Sequence, residues 1–285
     1  MQPKLFDTHT HFNFNAFKDD WKAVIERTLK ENVWFVNVGA EQKTSRRAVE
    51  IAEQYPAGVY AAVGLHPIHT YDDVFEEEVK GEKVKFETKA EEFDEKYYAD
   101  LIKRSDKVAA VGETGLDYFH IKKFPAPLNK KLKQKQAEIF DRQIKLAIET
   151  DKPIIIHCRA EKDFDAYREI LEILKENEKV SGIVHCYQGS ENLLEEFLNR
   201  GFLIGYNGVI TFTDNYDKLV EATPLDRIVL ETDSPWLAPV SHRGKRNESI
   251  YVVEVARKVA ELKNKEFDEV ANATVYNATK VLRIL

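Results

Sequence analysis

The chain has 285 residues, of which 43% are hydrophobic and 32% are charged, and its formal net charge at pH 7 is −7. This composition is typical of a folded globular protein with a sizeable core, and it excludes an intrinsically disordered chain. The negative net charge argues against a protein that coats nucleic acid by bulk electrostatics. It leaves open an enzyme that holds a phosphodiester locally.

Targeting signals and cysteine content predict where the protein resides. No apolar run approaches the roughly 20 residues that a bilayer span needs, so we expect no membrane contact. The N-terminal sequence MQPKLFDTHTHF enters a strand-like motif at once and leaves no room for a signal peptide. The two cysteines, Cys158 and Cys186, are too few for a disulfide framework. We therefore expect a cytoplasmic protein, or a nuclear one in a eukaryote, without an obligate protein partner.

Short apolar runs, rich in β-branched residues, alternate with longer amphipathic segments. The runs comprise residues 4–6, 33–38, 59–63, 108–111, 154–156, 182–184, 202–205 and 227–230. Intervening segments such as 21–31, 134–150 and 164–176 carry apolar residues at helical spacing. This alternation predicts an α/β fold, a single-domain (β/α)8 TIM-type barrel over residues 1–285, with its site at the carboxyl ends of the strands. A doubly wound sheet is the alternative, but ligands from so many strands converge more easily in a closed barrel.

Residues 71–100 depart from this pattern because they are unusually rich in Glu and Lys. This charged insertion follows the third predicted strand, so it would lie on the active-site face of the barrel. It fits either a solvated charged helix or a lid that contacts substrate, and the sequence does not decide between them.

Residue types that bind metal ions recur where predicted strands end. His9 and His11 follow the first strand, and residues two apart in an extended segment point to the same side, so both can face one ion. Glu113 closes the fourth strand, where a buried carboxylate is costly unless it is paired or coordinated.

The fifth and sixth strands each end in a His-Cys pair, at His157-Cys158 and His185-Cys186. Adjacent residues of a strand point to opposite sides, so each cysteine would face away from its histidine. We therefore favour metal binding by the histidines over thiol catalysis.

The third and eighth strands add less decisive candidates. His66 follows the third strand and fits either a substrate contact or a structural role. Glu231 and Asp233 follow the eighth strand, and either could be a ligand, while Asp233 could also act as general base. Strand alternation leaves that choice open.

Mixed imidazole and carboxylate ligands suit Zn, Mn, Fe or Co, and the carboxylates also admit Mg. Six candidate ligands are too many for one closed tetrahedral site. They fit two divalent ions (Mg²⁺, Mn²⁺ or Zn²⁺) about 3.5–4 Å apart, which activate a water and clamp a phosphoryl or carbonyl oxygen. Hydrolysis is the reaction that such a site predicts.

Taken together, the motifs resemble those of the TatD-related deoxyribonuclease family of metal-dependent hydrolases. The matching segments are DTHTH at 7–11, GLHP at 64–67, GETGLDY at 112–118, IHCR at 156–159, HCYQGS at 185–190, ETDSPWLAP at 231–239 and RGKRNE at 243–248. The resemblance implies a TIM-type barrel and metal-dependent hydrolysis of DNA, commonly as a 3′-to-5′ exonuclease. It implies metal ligands at His9, His11, Glu113, His157, His185 and Asp233. Within that set Glu113 bridges the two ions, and Asp233 is selected over Glu231.

For a DNA substrate, single-stranded or at a 3′ end, we predict catalytic roles for Glu113 and Asp233, with Asp233 accepting the proton of the attacking water. Substrate contacts are predicted for His66 and Arg159, which could stabilise phosphate charge. Basic loops would hold the neighbouring backbone. They comprise Arg243, Lys245 and Arg246 after the eighth strand and Lys122, Lys123, Lys130 and Lys131 after the fourth.

Two alternative functions remain at this stage. An amidohydrolase could use the same ligands on a small cyclic amide, ester or phosphoester. A carboxylated lysine as the bridging group would favour that reading, whereas this chain has Glu113. A metal-binding scaffold without activity is the third interpretation, although the ligand set is intact.

Overall fold

A computed structural model of the protein describes residues 2–79, 82–163 and 165–284. The strands are β1 (Leu5–Thr10), β2 (Val33–Val38), β3 (Val59–Val63), β4 (Asp73–Val79), β5 (Glu82–Thr88), β6 (Val108–Asp117), β7 (Ile154–Arg159), β8 (Gly182–Val184), β9 (Leu203–Tyr206) and β10 (Ile228–Leu230). The helices are α1 (Trp21–Lys30), α2 (Gln42–Ala52), α3 (Glu95–Arg104), α4 (Tyr118–Ile121), α5 (Ala126–Glu149), α6 (Asp165–Lys175), α7 (Glu191–Asn199), α8 (Asp217–Ala222), α9 (Val252–Lys263) and α10 (Phe267–Val281).

Eight parallel strands form one sheet in the order β1-β2-β3-β6-β7-β8-β9-β10. The sheet closes where the end of β1 meets the segment after β10. The Asp233 N–H donates to the His9 carbonyl at 2.8 Å, and the His11 N–H donates to the Ser234 carbonyl at 2.9 Å. The predicted (β/α)8 barrel is thereby confirmed, and the doubly wound alternative is wrong.

The core lies in two layers on the two faces of the sheet. Leu5, Phe35 and Ile154 belong to the cluster that packs the strands against the helices. Their chain neighbours, such as Phe6 and Ile155, belong to a second cluster that fills the barrel. Burial on both faces explains why the strands read as continuous apolar runs.

Several boundaries differ from the predicted ones. Strand β6 continues six residues beyond the predicted run, because residues 114–117 pair with β7 after an irregularity between Val111 and Thr114. Glu113 therefore lies within the strand and not after it. Helix α5 begins at Ala126, directly after Pro125, eight residues before its predicted start. Residue 164, the predicted start of α6, lies outside the described residues.

The charged insertion contains a β-hairpin. Strands β4 and β5 pair antiparallel from Asp73–Thr88 to Val79–Glu82, and α3 follows with Asp94 as its N-cap. The interpretation of residues 71–100 as one charged helix is therefore wrong for residues 73–79 and 82–88. Residues 80 and 81 of this insertion lie outside the described residues. The Lys123 ammonium lies 2.6 Å from the Asp73 carboxylate and ties the base of the hairpin to the loop after β6. A role as a lid stays a prediction.

Within residues 2–79, 82–163 and 165–284, no helix combines the length and apolar content that crossing a membrane requires.

Candidate active site

Side chains from β1, β6, β7 and the segments after β8 and β10 converge at the carboxyl end of the barrel. One group forms around Glu113 Oε2. His9 Nε2 lies 3.2 Å from this oxygen and 3.1 Å from His11 Nε2. Asp233 Oδ1 lies 3.4 Å from His11 Nε2 and 3.8 Å from His9 Nε2. His9, His11, Glu113 and Asp233 thus meet at one point.

A second group forms around the other oxygen of the same carboxylate, Glu113 Oε1. His157 Nδ1 lies 2.8 Å from it, His66 Nε2 3.5 Å and His185 Nε2 3.9 Å. His185 Nε2 is also 3.9 Å from Asp233 Oδ1, so this imidazole lies between the two groups. All six predicted ligands are therefore brought together, with one oxygen of Glu113 directed at each group.

The spacing and chemistry of these atoms fit divalent cations. Two donor atoms that are each about 2.1 Å from one ion lie about 3.0–3.4 Å apart at tetrahedral or octahedral angles. Several of the observed separations fall in or near that range. Glu113 is 5% exposed and has only histidines as ion-pair partners among the described residues. A buried carboxylate among imidazoles is a donor set that bound cations would stabilise.

The histidines of this cluster keep the two carboxyl groups ionised. Burial by itself raises the pKa of Glu113, but the imidazoles of His66 and His9 outweigh it and hold the pKa well below its usual range. Burial likewise acts to raise the pKa of Asp233, and His185 reverses the effect. Both carboxyl groups are therefore ionised at neutral pH, as metal ligands must be.

Asp117 orients His157. Its carboxylate Oδ2 lies 3.1 Å from His157 Nε2 and 2.7 Å from His120 Nδ1, and the side chain is fully buried. A carboxylate behind a metal-binding histidine fixes the ring and raises its basicity. Sequence reasoning gave Asp117 no role, although it is a second carboxylate four residues after Glu113 in the segment GETGLDY.

Glu231 occupies the corresponding position behind His185. Its Oε2 lies 3.0 Å from His185 Nδ1, an ion-pair distance whose angle falls outside hydrogen-bond geometry, and its Oε1 accepts from the Cys186 N–H at 2.7 Å. Space for Glu231 exists because residue 205 is glycine: a Cβ there would lie 2.3 Å from Glu231 Oε2. Glu231 thus lies near His185 Nδ1 and Asp233 near His185 Nε2, and Glu231 also offers a ligand atom within 4.8 Å of those of His9 and His185.

The side chain of His66 is oriented to donate a hydrogen bond from Nε2. The Ile68 N–H donates to its Nδ1 at 3.1 Å, so the proton of the neutral ring resides on Nε2, the atom that faces Glu113. Burial lowers the pKa of His66 to about 4, and the neighbouring His157 acts in the same direction. A neutral imidazole that carries its proton on Nε2 can donate to a substrate oxygen, but that nitrogen cannot bind a metal ion.

Asp7 secures the segment that carries Asp233. Its buried carboxylate accepts from the Thr232 N–H at 2.9 Å, from the Thr232 hydroxyl at 2.6 Å, and from Ser249. The backbone at Asp233 adopts a left-handed conformation with φ 54°. These hydrogen bonds join β1 to the eighth barrel strand just below the cluster.

The basic residues after the eighth barrel strand differ in whether they form ion pairs within the fold. Arg246 binds Asp20 and Glu248 through its terminal nitrogens, at 2.6 and 3.2 Å, and its side chain is 10% exposed. The guanidinium of Arg246 is thus engaged in ion pairs within the fold, and its role as a substrate contact stays a prediction. Arg243 and Lys245 are exposed and make no ion pair with any residue that the structure describes.

The loop after β6 and the end of β7 form a second basic edge. The guanidinium of Arg159 lies 4.4 Å from the centre of the Phe119 ring, and Lys122 Nζ lies 3.5 Å from it. Lys123 is bound to Asp73, whereas Lys130 and Lys131 lie on α5. Arg159 is exposed two residues beyond His157, so it lies at the edge of the cluster and not within it.

Comparison with known proteins agrees with this geometry. A sequence model described as TatD related DNase matches residues 6–283. The protein named uncharacterized metal-dependent hydrolase YabD, from Bacillus subtilis (strain 168), is 40% identical over 98% of this chain and 99% of its own length. Uncharacterized metal-dependent hydrolase MJ1582 of Methanocaldococcus jannaschii is 32% identical over 98% of this chain and 97% of its own length.

Solved structures give the same result. The crystal structure of YjjV, a TatD homolog from Escherichia coli K12, has a TM-score of 0.81 with 27% sequence identity, covering 99% of this chain and 98% of its own. The likeness extends over the whole barrel, including all the strands that carry the cluster. The chain therefore belongs to the TatD-related DNase family of metal-dependent hydrolases.

Proposed function

We propose that the protein is a deoxyribonuclease that hydrolyses DNA phosphodiester bonds with two divalent ions, acting as a 3′-to-5′ exonuclease on single strands or 3′ ends. The observation that carries this proposal is the division of the two Glu113 oxygens between two donor groups. That arrangement fits a carboxylate shared by two ions of Mg²⁺, Mn²⁺ or Zn²⁺. When bound, such ions supply an activated water and polarise the scissile phosphate. The family description supports DNA as the substrate.

Asp233 is the proposed general base. Its side chain is 17% exposed, against 5% for Glu113, so water reaches it more readily. His185 keeps its pKa below the usual range, so the carboxylate is ionised and can accept the proton of the attacking water. Glu113 holds the cluster together from the more buried side.

His66 and the exposed basic residues are the proposed substrate contacts. His66 donates from Nε2 to a non-bridging phosphate oxygen, where negative charge develops in the transition state. Arg159, Arg243 and Lys245 are exposed at the carboxyl end of the barrel and would hold neighbouring phosphates. The proposed partner is DNA in the cytoplasm, or in the nucleus of a eukaryotic cell.

The test uses protein stripped of metal and then supplied with Mg²⁺, Mn²⁺ or Zn²⁺ separately. Single-stranded DNA labelled at the 3′ or the 5′ end is the substrate. We expect early release of the 3′ label with at least one ion, and loss of that activity in Glu113→Gln and Asp233→Asn. Glu169→Gln is the matched control, because Glu169 binds the Tyr118 hydroxyl at 2.6 Å outside the cluster and should be dispensable.

Two results would contradict the proposal. Early release of the 5′ label would show the opposite polarity. Absence of cleavage with every ion, in protein shown to bind two ions, would exclude a nuclease and direct attention to cyclic amides and esters.

A further inference from the structure

The loop after β10 leads from the cluster to an exposed aromatic ring. This loop carries Asp233 near its start, and its Trp236 ring lies 5.4 Å from the ring of His11. Ten residues after Asp233, the Arg243 guanidinium lies 4.4 Å from the centre of the Phe212 ring. Phe212 follows β9, so the pair joins two neighbouring loops at the carboxyl end of the barrel.

The two loops form one continuous surface. The Val240 N–H donates to the Thr211 hydroxyl at 2.9 Å. The backbone of the β10 loop also lies directly on Gly208, where a Cβ would be 2.1 Å from the Leu237 carbonyl oxygen. These two contacts hold the segment that carries Phe212 against the loop that carries Asp233.

The ring is exposed although it is apolar. Phe212 is 38% exposed, and the neighbouring Val240 is 60% exposed. Arg243 makes no hydrogen bond or ion pair through its side chain with any residue in the described part of the chain, so its donors face solvent. A partly exposed phenyl ring with a planar guanidinium 4.4 Å over it has the chemistry that binds an unpaired nucleobase and its phosphate.

We propose that Phe212 and Arg243 form a nucleobase-stacking subsite, in which one base of the substrate strand stacks on Phe212 and Arg243 contacts the adjoining phosphate. This inference rests on the proposed nuclease function and specifies its substrate. A base in a duplex has both faces covered by its neighbours, so the subsite selects unpaired strands over paired ones.

The test compares a single-stranded oligonucleotide with versions that carry one abasic nucleotide at successive positions from the 3′ end. For wild-type protein, one abasic position should raise KM by about 5- to 150-fold, the range expected for loss of one base–aromatic stack. Phe212→Leu keeps an apolar side chain and loses the aromatic face. It should raise KM for the intact strand by a similar factor and leave hydrolysis of that abasic strand unchanged.

Arg243→Gln gives an independent readout. It should reduce the steepness of log KM against log salt concentration by about 0.7, which corresponds to one phosphate contact on a single strand. Phe212→Leu should leave that slope unchanged. The matched control is Tyr276→Leu on α10, another exposed aromatic beside a cation, with Lys280 Nζ 5.6 Å from its ring, and it should behave as wild type.

The outcomes separate the two proposals. If wild-type protein hydrolyses DNA but Phe212→Leu retains the wild-type KM for the intact strand, the subsite is refuted and the nuclease function stands. If Phe212→Leu raises KM by the same factor for the intact and the abasic strand, base stacking on Phe212 is refuted as well. Absence of hydrolysis by wild-type protein would overturn the nuclease function and the subsite with it.

Discussion

Asp117→Asn tests how much the metal centre depends on a residue that does not face it. The substitution keeps the size of the side chain and removes its negative charge. In the structure that charge lies 3.1 Å from His157 Nε2 and 2.7 Å from His120 Nδ1, in a fully buried position. The variant should therefore leave the fold intact and weaken the orientation and basicity of His157.

The expected size follows from the hydrogen bond that is lost. A hydrogen bond to a charged group contributes about 1.5–3 kcal/mol, which corresponds to roughly 10- to 160-fold in an equilibrium constant at 1.36 kcal/mol per tenfold. Loss of a carboxylate behind a metal-binding histidine commonly lowers metal affinity by about 10- to 100-fold. We expect the weaker of the two metal sites to bind its ion with an affinity that is lower by a factor in this range.

Calorimetric titration of metal-free protein with Mn²⁺ measures both sites. His120→Gln is the control, because it removes the second neighbour of Asp117 and leaves the contact to His157 in place. Its effect should stay below about tenfold. If Asp117→Asn binds both ions within twofold of wild type, the assignment of Asp117 as a positioning residue is refuted.

Three further substitutions test the packing around the site. Gly205→Ala places a Cβ 2.3 Å from Glu231 Oε2 and should lower the free energy of unfolding by about 1–3 kcal/mol in urea titrations. The double variant that also carries Glu231→Ala should recover part of this free energy, because the contacted side chain is removed. Arg246→Ala should destabilise the protein by about 1–3 kcal/mol while leaving KM for DNA unchanged, since its guanidinium binds Asp20; a raised KM at unchanged stability would identify it as a substrate contact. Asp7→Ala leaves several buried donors without an acceptor and should lower the free energy of unfolding by about 3 kcal/mol or more; a loss under 1 kcal/mol would show that barrel closure does not depend on it.

The barrel could be predicted because its pattern is local. Each central strand is buried on both faces, so its apolar run is visible without knowledge of its neighbours. The cluster was predictable for a related reason. Parallel strands in a barrel end at the same face, so histidines at the ends of different strands lie close together. The choice of Asp233 over Glu231 required the family resemblance, and it stays a prediction because both residues lie in groups that could hold a metal ion. Both residues approach His185, but from opposite sides of its ring.

The sequence was least informative where distant partners decide the structure. The insertion is rich in Glu and Lys, which favour helices by intrinsic propensity, yet residues 73–79 and 82–88 form two strands that pair with each other. Arg246 was assigned to the substrate because it follows the eighth strand. Its partner Asp20 lies 226 residues away in the chain, beyond the reach of any local pattern.

The number of metal ions bound per chain tests the central claim most directly. Elemental analysis of protein equilibrated with Mn²⁺ or Zn²⁺ and freed of excess ion should give two ions per wild-type chain. Glu113→Gln should bind fewer, because its carboxylate serves both donor groups, whereas the control Glu169→Gln should still bind two. One ion per wild-type chain, or two ions retained in Glu113→Gln with unchanged affinity, would contradict the shared-carboxylate centre.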